Sequence, residues 1–208
     1  LRGSAIRALA AYDHSQTPQV LLKAYGTLSL SERRDAINTL VSRPAYALAL
    51  LDAVKNKQVP RTDLHAYNIR HLMRFDHEGL AKRIADEWGQ VRETSADKRK
   101  QIAHYKNYLT TSRIAKANVG NGRRLFSKSC ASCHTLFDAG GRSCPNLTGS
   151  NRLNVDYILE NMVDPSAILG KDYRMTVVAT SDGRVVSGLI QKETGSAITL
   201  RTINDTVV

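Results

Sequence analysis

Apolar residues recur with a helical period through the first half of the chain and switch to alternation only near its end. Thr17-Pro18 reads as a cap followed by proline at the first helical position, leading into Val20, Leu21 and Leu22. Ser29 and Glu32 have capping-box spacing ahead of Ile37, Leu40 and Val41. Pro44 opens a segment whose Leu48, Leu51 and Val54 fall on one face. Thr62-Asp63 precedes Leu64, Tyr67, Ile69 and Leu72, and two further helices are predicted around Leu80, Ile84, Trp88 and around Ile102, Tyr105, Leu109. A first helix lies near Ile6 and Leu9.

These predicted helices are short, joined by brief polar turns, and paired at a period of roughly thirty to forty residues. That period suggests an α-solenoid of the HEAT type over residues 1–112. A stack of this kind needs neighbours for its end faces, so the first helix is expected to pack on residues upstream of Leu1. Thr110 to Val119 is polar and aperiodic, and the domain boundary is placed there.

Beyond the boundary, residues 113–175 read as a second, smaller helical domain. Gly122-Arg123-Arg124-Leu125-Phe126 opens a short helix, Gly140-Gly141 and Pro145 mark a loop, and Leu153 to Met162 is helical until Asp164-Pro165 stops it. Residues 176–208 change to strand patterning, with segments at Thr176–Ala179, Val185–Ile190 and Ala197–Leu200. Asp182-Gly183 is a tight hairpin signal and Thr194-Gly195-Ser196 a second turn. The predicted class is mainly α, with a small antiparallel sheet at the end, and the last subdomain reads as truncated at Val208.

At 208 residues the chain is long enough to bury a real core. No apolar run approaches membrane-spanning length. The net charge of +11 favours acidic partners. The basic residues are scattered, however, with Lys98-Arg99-Lys100 the longest run, and few aromatics are placed to stack bases. Solvated helix faces explain the charge better than nucleic-acid binding. The chain begins at Leu1 with no signal-peptide pattern and so reads as a processed piece of something longer.

Cys130-Ala131-Ser132-Cys133-His134 carries the chemistry. Two cysteines separated by two residues, with histidine directly after the second, form the attachment signature of a c-type haem. The thiols of Cys130 and Cys133 add across the two porphyrin vinyl groups, and His134 supplies the proximal imidazole to iron. A redox dithiol normally opens a helix after a strand, and no strand precedes this one. A zinc set of Cys130, Cys133, His134 and Cys144 would crowd adjacent ligands and lacks a second paired half. Haem attachment in bacteria takes place outside the cytoplasmic membrane, so a periplasmic or otherwise exported location is implied.

With these residues assembled, the second half resembles a class I cytochrome c. Gly122 and Phe126 resemble the family's N-terminal helix, where the glycine permits a close helix crossing, and Pro145-Asn146-Leu147 resembles its proline loop, with Cys144 where glycine is usual. The resemblance implies that the Pro145 carbonyl accepts a hydrogen bond from His134 Nδ1, fixing the ring and raising its basicity. From Gly122 onward the chain more closely resembles the haem-binding domain of large secreted planctomycete and verrucomicrobial proteins. The matching segments are Cys130 to Phe137, Pro145-Asn146-Leu147-Thr148-Gly149, Asp164-Pro165-Ser166 and Asp182 to Gly188. In that family the haem domain follows HEAT-like repeats, often behind a propeller that resembles sugar or alcohol dehydrogenases. The resemblance implies an upstream dehydrogenase domain; the single attachment motif implies one haem c, and the net charge of +11 an acidic redox partner.

The sixth iron ligand is open at this point. Pro165 to Met175 has the proline-to-methionine spacing of the class I ligand loop, which makes Met175 the candidate distal ligand. The alternatives are a sheet-packing role for Met175 with a later methionine as ligand, an open site, and an outside ligand such as His71 or His77. Met73 and Met162 read as core, and Cys144 as a small buried residue in a tight loop. His14, His65 and His104 read as surface or satisfied core groups. The expected function is one-electron transfer rather than catalysis by this chain alone. An open-site haem binding small gases or peroxide, and a repeat scaffold with secondary haem, are the competing readings.

Overall fold

Ser29 caps a helix as its spacing predicts: its backbone N–H donates to Glu32 Oε2 at 2.9 Å while Glu32 N–H donates back to Ser29 Oγ. That helix belongs to the first of two compact units in a computed structural model that describes residues 1–202 and 206–208. Unit 1 comprises Leu1–Glu93 with Ser166–Lys171, and unit 2 comprises Thr94–Pro165 with Asp172–Val208. The chain is mainly helical with a small antiparallel sheet.

Unit 1 carries α1 (Arg2–Ala8), α2 (Thr17–Ala24), α3 (Leu30–Leu40), α4 (Pro44–Lys55), α5 (Ala66–Leu72) and α6 (Glu78–Glu87). Helix α1 packs on α3, α2 on α4, and α4 on α6. Leu40, Ala47, Leu50, Leu51, Ile69 and Leu72 are fully buried. Each such leucine contributes about 1.5–3 kcal/mol by leaving water. Two buried polar side chains find backbone partners, which removes most of their desolvation cost. Thr39 Oγ1 donates to the Ile6 carbonyl at 2.9 Å, and Trp88 Nε1 to the Leu64 carbonyl at 2.9 Å. The Tyr46 hydroxyl accepts from His14 N–H at 2.8 Å and lies within 3.0 Å of the Tyr12 carbonyl.

Two local readings shift. Gln16, not Thr17, is the N-cap of α2, which places Thr17-Pro18 within its first turn. Thr62 and Asp63 lie in a 3-10 turn at Arg61–Asp63, where the Tyr25 hydroxyl donates to the Asp63 carboxylate at 2.7 Å, and α5 starts only at Ala66 after the His65 N-cap. Burial and that carboxylate together push the Tyr25 phenol far above its ordinary range. Strand β1 (Gly89–Val91) then pairs antiparallel with β2 (Ile168–Gly170), Gly89 opposite Gly170 and Val91 opposite Ile168.

Unit 2 holds α7 (Ala96–Tyr108), α8 (Thr111–Ala115), α9 (Val119–Ser129) and α10 (Val155–Val163). The division between units therefore falls after Glu93 rather than near residue 112. Helix α7 packs on α10, and two ion pairs fasten them, Lys98 to Asp164 at 2.7 Å and Lys106 to Asp156 at 2.8 Å. The stretch read as an aperiodic connection contains α8, capped by the Thr110 hydroxyl.

A three-stranded antiparallel sheet in the order β3 (Thr176–Ala179), β4 (Val185–Glu193), β5 (Ile198–Arg201) completes unit 2. The β3–β4 loop is longer than a two-residue hairpin: Thr180 N–H donates to the Arg184 carbonyl at 2.9 Å, with Gly183 at φ +85°. Such a three-residue loop ends in the left-handed conformation glycine accepts. Leu200 and Val208 exchange backbone bonds at 2.8 and 2.9 Å beside β5. Among the described residues, no helix is long and apolar enough to cross a membrane.

His65 gives unit 1 a pH dependence. Burial pushes its imidazole below the ordinary value, with Arg34 adding to the effect and Asp63 opposing it. An unfolded chain takes up this proton near pH 6.5 while the folded chain resists it. Stability from this group is therefore complete above about pH 6.5 and falls as pH drops through the lower folded value. His65→Gln is expected to flatten that fall, so that going from pH 7.5 to pH 5.5 lowers the urea midpoint of wild type more than that of the variant. Equal lowering of the two midpoints would contradict this.

Candidate functional site

Asn118 starts the path to the cysteines by accepting the Asn121 N–H at 2.8 Å, which caps α9. The helix ends at Cys130, whose N–H still bonds the Phe126 carbonyl at 2.8 Å. One more turn follows, since Cys133 N–H and His134 N–H both donate to the Cys130 carbonyl, at 3.1 and 2.9 Å. Cys130, Cys133 and His134 are thus presented on a single hydrogen-bonded turn, and all three are half-buried.

The chain then doubles back. Leu136 and Ala139 exchange backbone bonds around Phe137 and Asp138, which both have positive φ, 50° and 63°. This is the mirror-image turn that matches strand twist. Gly140 (φ +112°) and Gly141 bring the returning strand against the cysteine turn. Gly141 N–H donates to the Ala131 carbonyl at 2.8 Å, and a Cβ at Gly141 would sit 2.0 Å from the Ser132 carbonyl oxygen. Only a residue without a side chain permits that approach. Thr135 Oγ1 donates to the Gly141 carbonyl at 2.7 Å, Cys144 N–H to the Cys133 carbonyl at 3.0 Å, and Leu147 N–H to the Thr135 carbonyl at 2.8 Å. Thr148 Oγ1 accepts the Phe137 N–H at 2.8 Å, and the Arg152 guanidinium lies 4.8 Å over the Phe137 ring.

His134 Nδ1 lies 2.8 Å from the Pro145 carbonyl oxygen. A carbonyl can only accept, so Nδ1 carries the proton and Nε2 keeps its lone pair for a ligand. The residue pair is the one the cytochrome resemblance links. The structure also brings Cys144 to Cys133, through the Cys144 N–H on the Cys133 carbonyl. Burial first, and the neighbouring Cys133 second, push the Cys144 thiol above its ordinary value. Among the described residues no three His, Cys, Asp or Glu side chains converge to hold a metal ion.

The other candidates lie elsewhere. Met175 stands at the entry to β3, 47% exposed. The Pro165–Met175 stretch contains β2, paired with β1, and a 3-10 turn. Met73 and Met162, read as core, are both on the surface, at 40% and 72% exposure. Cys144 is half-buried. His71 is in α5, and His77 caps α6 by accepting the Leu80 N–H on Nδ1 at 3.2 Å. A Cβ at Gly122 would meet nothing within 4 Å, so no helix crosses there among the described residues. Sequence reasoning missed the tight approach at Gly141, the stitching by Thr135 and Thr148, and buried Ser143. The adjacent glycines were the available signal for the first of these.

The apolar surface bears on whether these residues suit a haem. Among the described residues, none of the side chains of α7, α8 or α9 is buried. Unit 2 buries Leu159, Leu189 and Leu200, but leaves Val119, Leu125, Phe137, Leu153 and Met162 exposed. Helices with so little burial need another apolar surface to pack against. A flat apolar macrocycle fixed at Cys130 and Cys133 would supply one. The buried Ser143 Oγ, two residues before Pro145, has no hydrogen-bond partner, which suits a polar group of the same cofactor or a water beside it. The donor set and its surroundings fit the group.

No protein-family model, no curated protein and no solved structure matches this chain.

Because the Gly141 approach leaves no room for a Cβ, Gly141→Ala is expected to lower the stability of the chain by at least about 2 kcal/mol. Urea unfolding of the full chain reads the change. A variant as stable as wild type would mean that the strand can move away from Ser132 at little cost.

Proposed function

We propose that this chain is a one-electron-transfer module with a single haem c. Cys130 and Cys133 form its two thioether links, and His134 Nε2 is the proximal ligand. The observation that carries the reading is the 2.8 Å contact between His134 Nδ1 and the Pro145 carbonyl, beside two thiols on the same helical turn. When bound, the haem supplies an iron that takes up or gives up one electron.

The chain's own residues do the rest. The Pro145 carbonyl fixes the imidazole plane and makes Nε2 a stronger donor. The Cys144, Gly141 and Leu147 backbone bonds stop the ring and the thiols from moving relative to one another, which lowers the rearrangement that accompanies electron transfer. Apolar side chains on α9 and α10, including Leu125 and Met162, would cover the macrocycle and exclude water. The charge of +11 steers an acidic redox partner. In unit 1, packing of α1 on α3, α2 on α4 and α4 on α6 supports a HEAT-like stack. That stack would dock or space the module against an upstream dehydrogenase domain, in the periplasm or another exported compartment.

A second reading has an observation behind it. The stretch from Pro165 to Met175 is pinned by the β1–β2 pairing, and Met175 is nearly half exposed. An open iron that binds small gases or peroxide fits an unliganded distal side.

Absorption spectra of haem-loaded protein, oxidised and reduced, with and without carbon monoxide, separate the two. A near-infrared sulfur-to-iron band and no response to carbon monoxide are expected for electron transfer, and loss of that band in Met175→Ala would assign the ligand. A high-spin spectrum that shifts with carbon monoxide would move the reading to the open site. If Cys130→Ala/Cys133→Ala protein keeps its haem on a denaturing gel, covalent attachment at this motif is wrong.

A further inference from the structure

Cys144 is the one cysteine that haem attachment leaves unused, and it sits against one of the two that attachment needs. All three thiols are free and half-buried. Cys144 N–H donates to the Cys133 carbonyl at 3.0 Å. A backbone bond of this kind puts the two Cα atoms at roughly the 4.4–6.8 Å over which disulfides close. The neighbouring Cys133 thiol, after burial, helps push the Cys144 thiol above its ordinary value. The strands bearing them are fixed from both sides, by Gly141 N–H on the Ala131 carbonyl and by Leu147 N–H on the Thr135 carbonyl. Closure therefore needs little backbone movement.

We propose that Cys133 and Cys144 form a disulfide in the chain before it carries haem, and that this bond withholds Cys133 from the porphyrin until a reductant opens it. The withholding rests on the haem reading above; the disulfide itself does not.

Two thiols lose two protons and two electrons as the Cys133–Cys144 bond forms. The acceptor is a disulfide oxidant, either an oxidised dithiol protein or a small-molecule disulfide. Cys133 thiolate attacks one sulfur of the oxidant and expels the first thiolate. Cys144 thiolate then attacks Cys133 Sγ, expels the second thiolate, and closes the ring. The oxidant leaves as two thiols, its own S–S bond broken. A dithiol reductant runs the same steps backward and frees Cys133 for thioether formation. Burial pushes the Cys144 thiol above its ordinary value, which disfavours its thiolate.

The peptide map makes the test direct, because Lys128, Arg142 and Arg152 flank the cysteines. Trypsin places Cys130 and Cys133 on one peptide and Cys144 on the next. The full unloaded chain is oxidised with glutathione disulfide, its remaining thiols are alkylated, and the digest is read by mass spectrometry. The expected product joins the two peptides, with Cys130 alkylated; it persists in Cys130→Ser and disappears in Cys133→Ser. A Cys130–Cys133 bond as the main product, or three alkylated or glutathione-capped cysteines, would overturn the proposal.

For the withholding, Cys144→Ser and Cys144→Ala are matured beside wild type under oxidising conditions. At least a two-fold rise in covalent haem is expected in both, with the difference abolished by added dithiol reductant. Equal loading throughout would overturn the withholding and leave the disulfide standing. No loading of any form, even after reduction, would instead count against the haem reading, with the joined peptides unaffected.

Discussion

Backbone hydrogen bonds across residues 130–148 hold the cysteines, His134 and Pro145 together, because unit 2 has little buried apolar surface to do so. Every chemically interesting group in the unit depends on that stitching. The Cys130 carbonyl accepts two N–H groups and fixes the turn, Gly141 closes the returning strand onto it, and Cys144 and Leu147 extend the closure until the Pro145 carbonyl reaches His134. A backbone scaffold is well suited to the task. Its bond lengths are fixed and its groups carry no net charge, so it orients a histidine without altering the charge of the site.

Unit 1 is organised on the opposite principle. Its helices interleave leucine, isoleucine, alanine and tyrosine side chains, and the buried Thr39 hydroxyl and Trp88 indole donate to carbonyls on neighbouring segments. Such a body is held mainly by apolar packing. Unit 2 keeps Leu125, Phe137 and Met162 at its surface while holding two sulfurs and an imidazole on one turn. An apolar prosthetic group would answer both features at once, and this links the packing to the proposed chemistry.

Much of the helical half was legible because its signals are local. The Ser29–Glu32 box and Pro44 each lie within a few residues of the elements they start. The three strands of the final sheet were legible for the same reason, as alternation and turn residues adjoin. What the sequence hid was long-range. Strands β1 and β2 are three residues each, too short for a period, and their partners are more than seventy residues apart. The place where the units divide was hidden too, since α7 is drawn to α10 by charges on lysines and aspartates that look like ordinary solvated residues. Met162 has a core residue's chemistry and lies on an amphipathic helix, but nothing local says whether that face is covered. In the candidate site, the cysteine turn is a local signal, whereas the Pro145 contact was anticipated only through the resemblance to cytochromes. The approach of Cys144 to Cys133 depends on the Gly140-Gly141 reversal and had no sequence precedent.

The two ion pairs between α7 and α10 share a spacing. Lys98 and Lys106 are eight residues apart, as are Asp156 and Asp164, and the pairs run in opposite order along the two antiparallel helices. Both helices therefore carry a rung about every 12 Å. Sliding one helix past the other by a single turn would unseat both rungs together and strip the wholly buried Asp164 side chain of its lysine. The arrangement works as a vernier: it admits one register and rejects the adjacent ones, so a helix pair with few knobs and holes of its own still has only one place to rest.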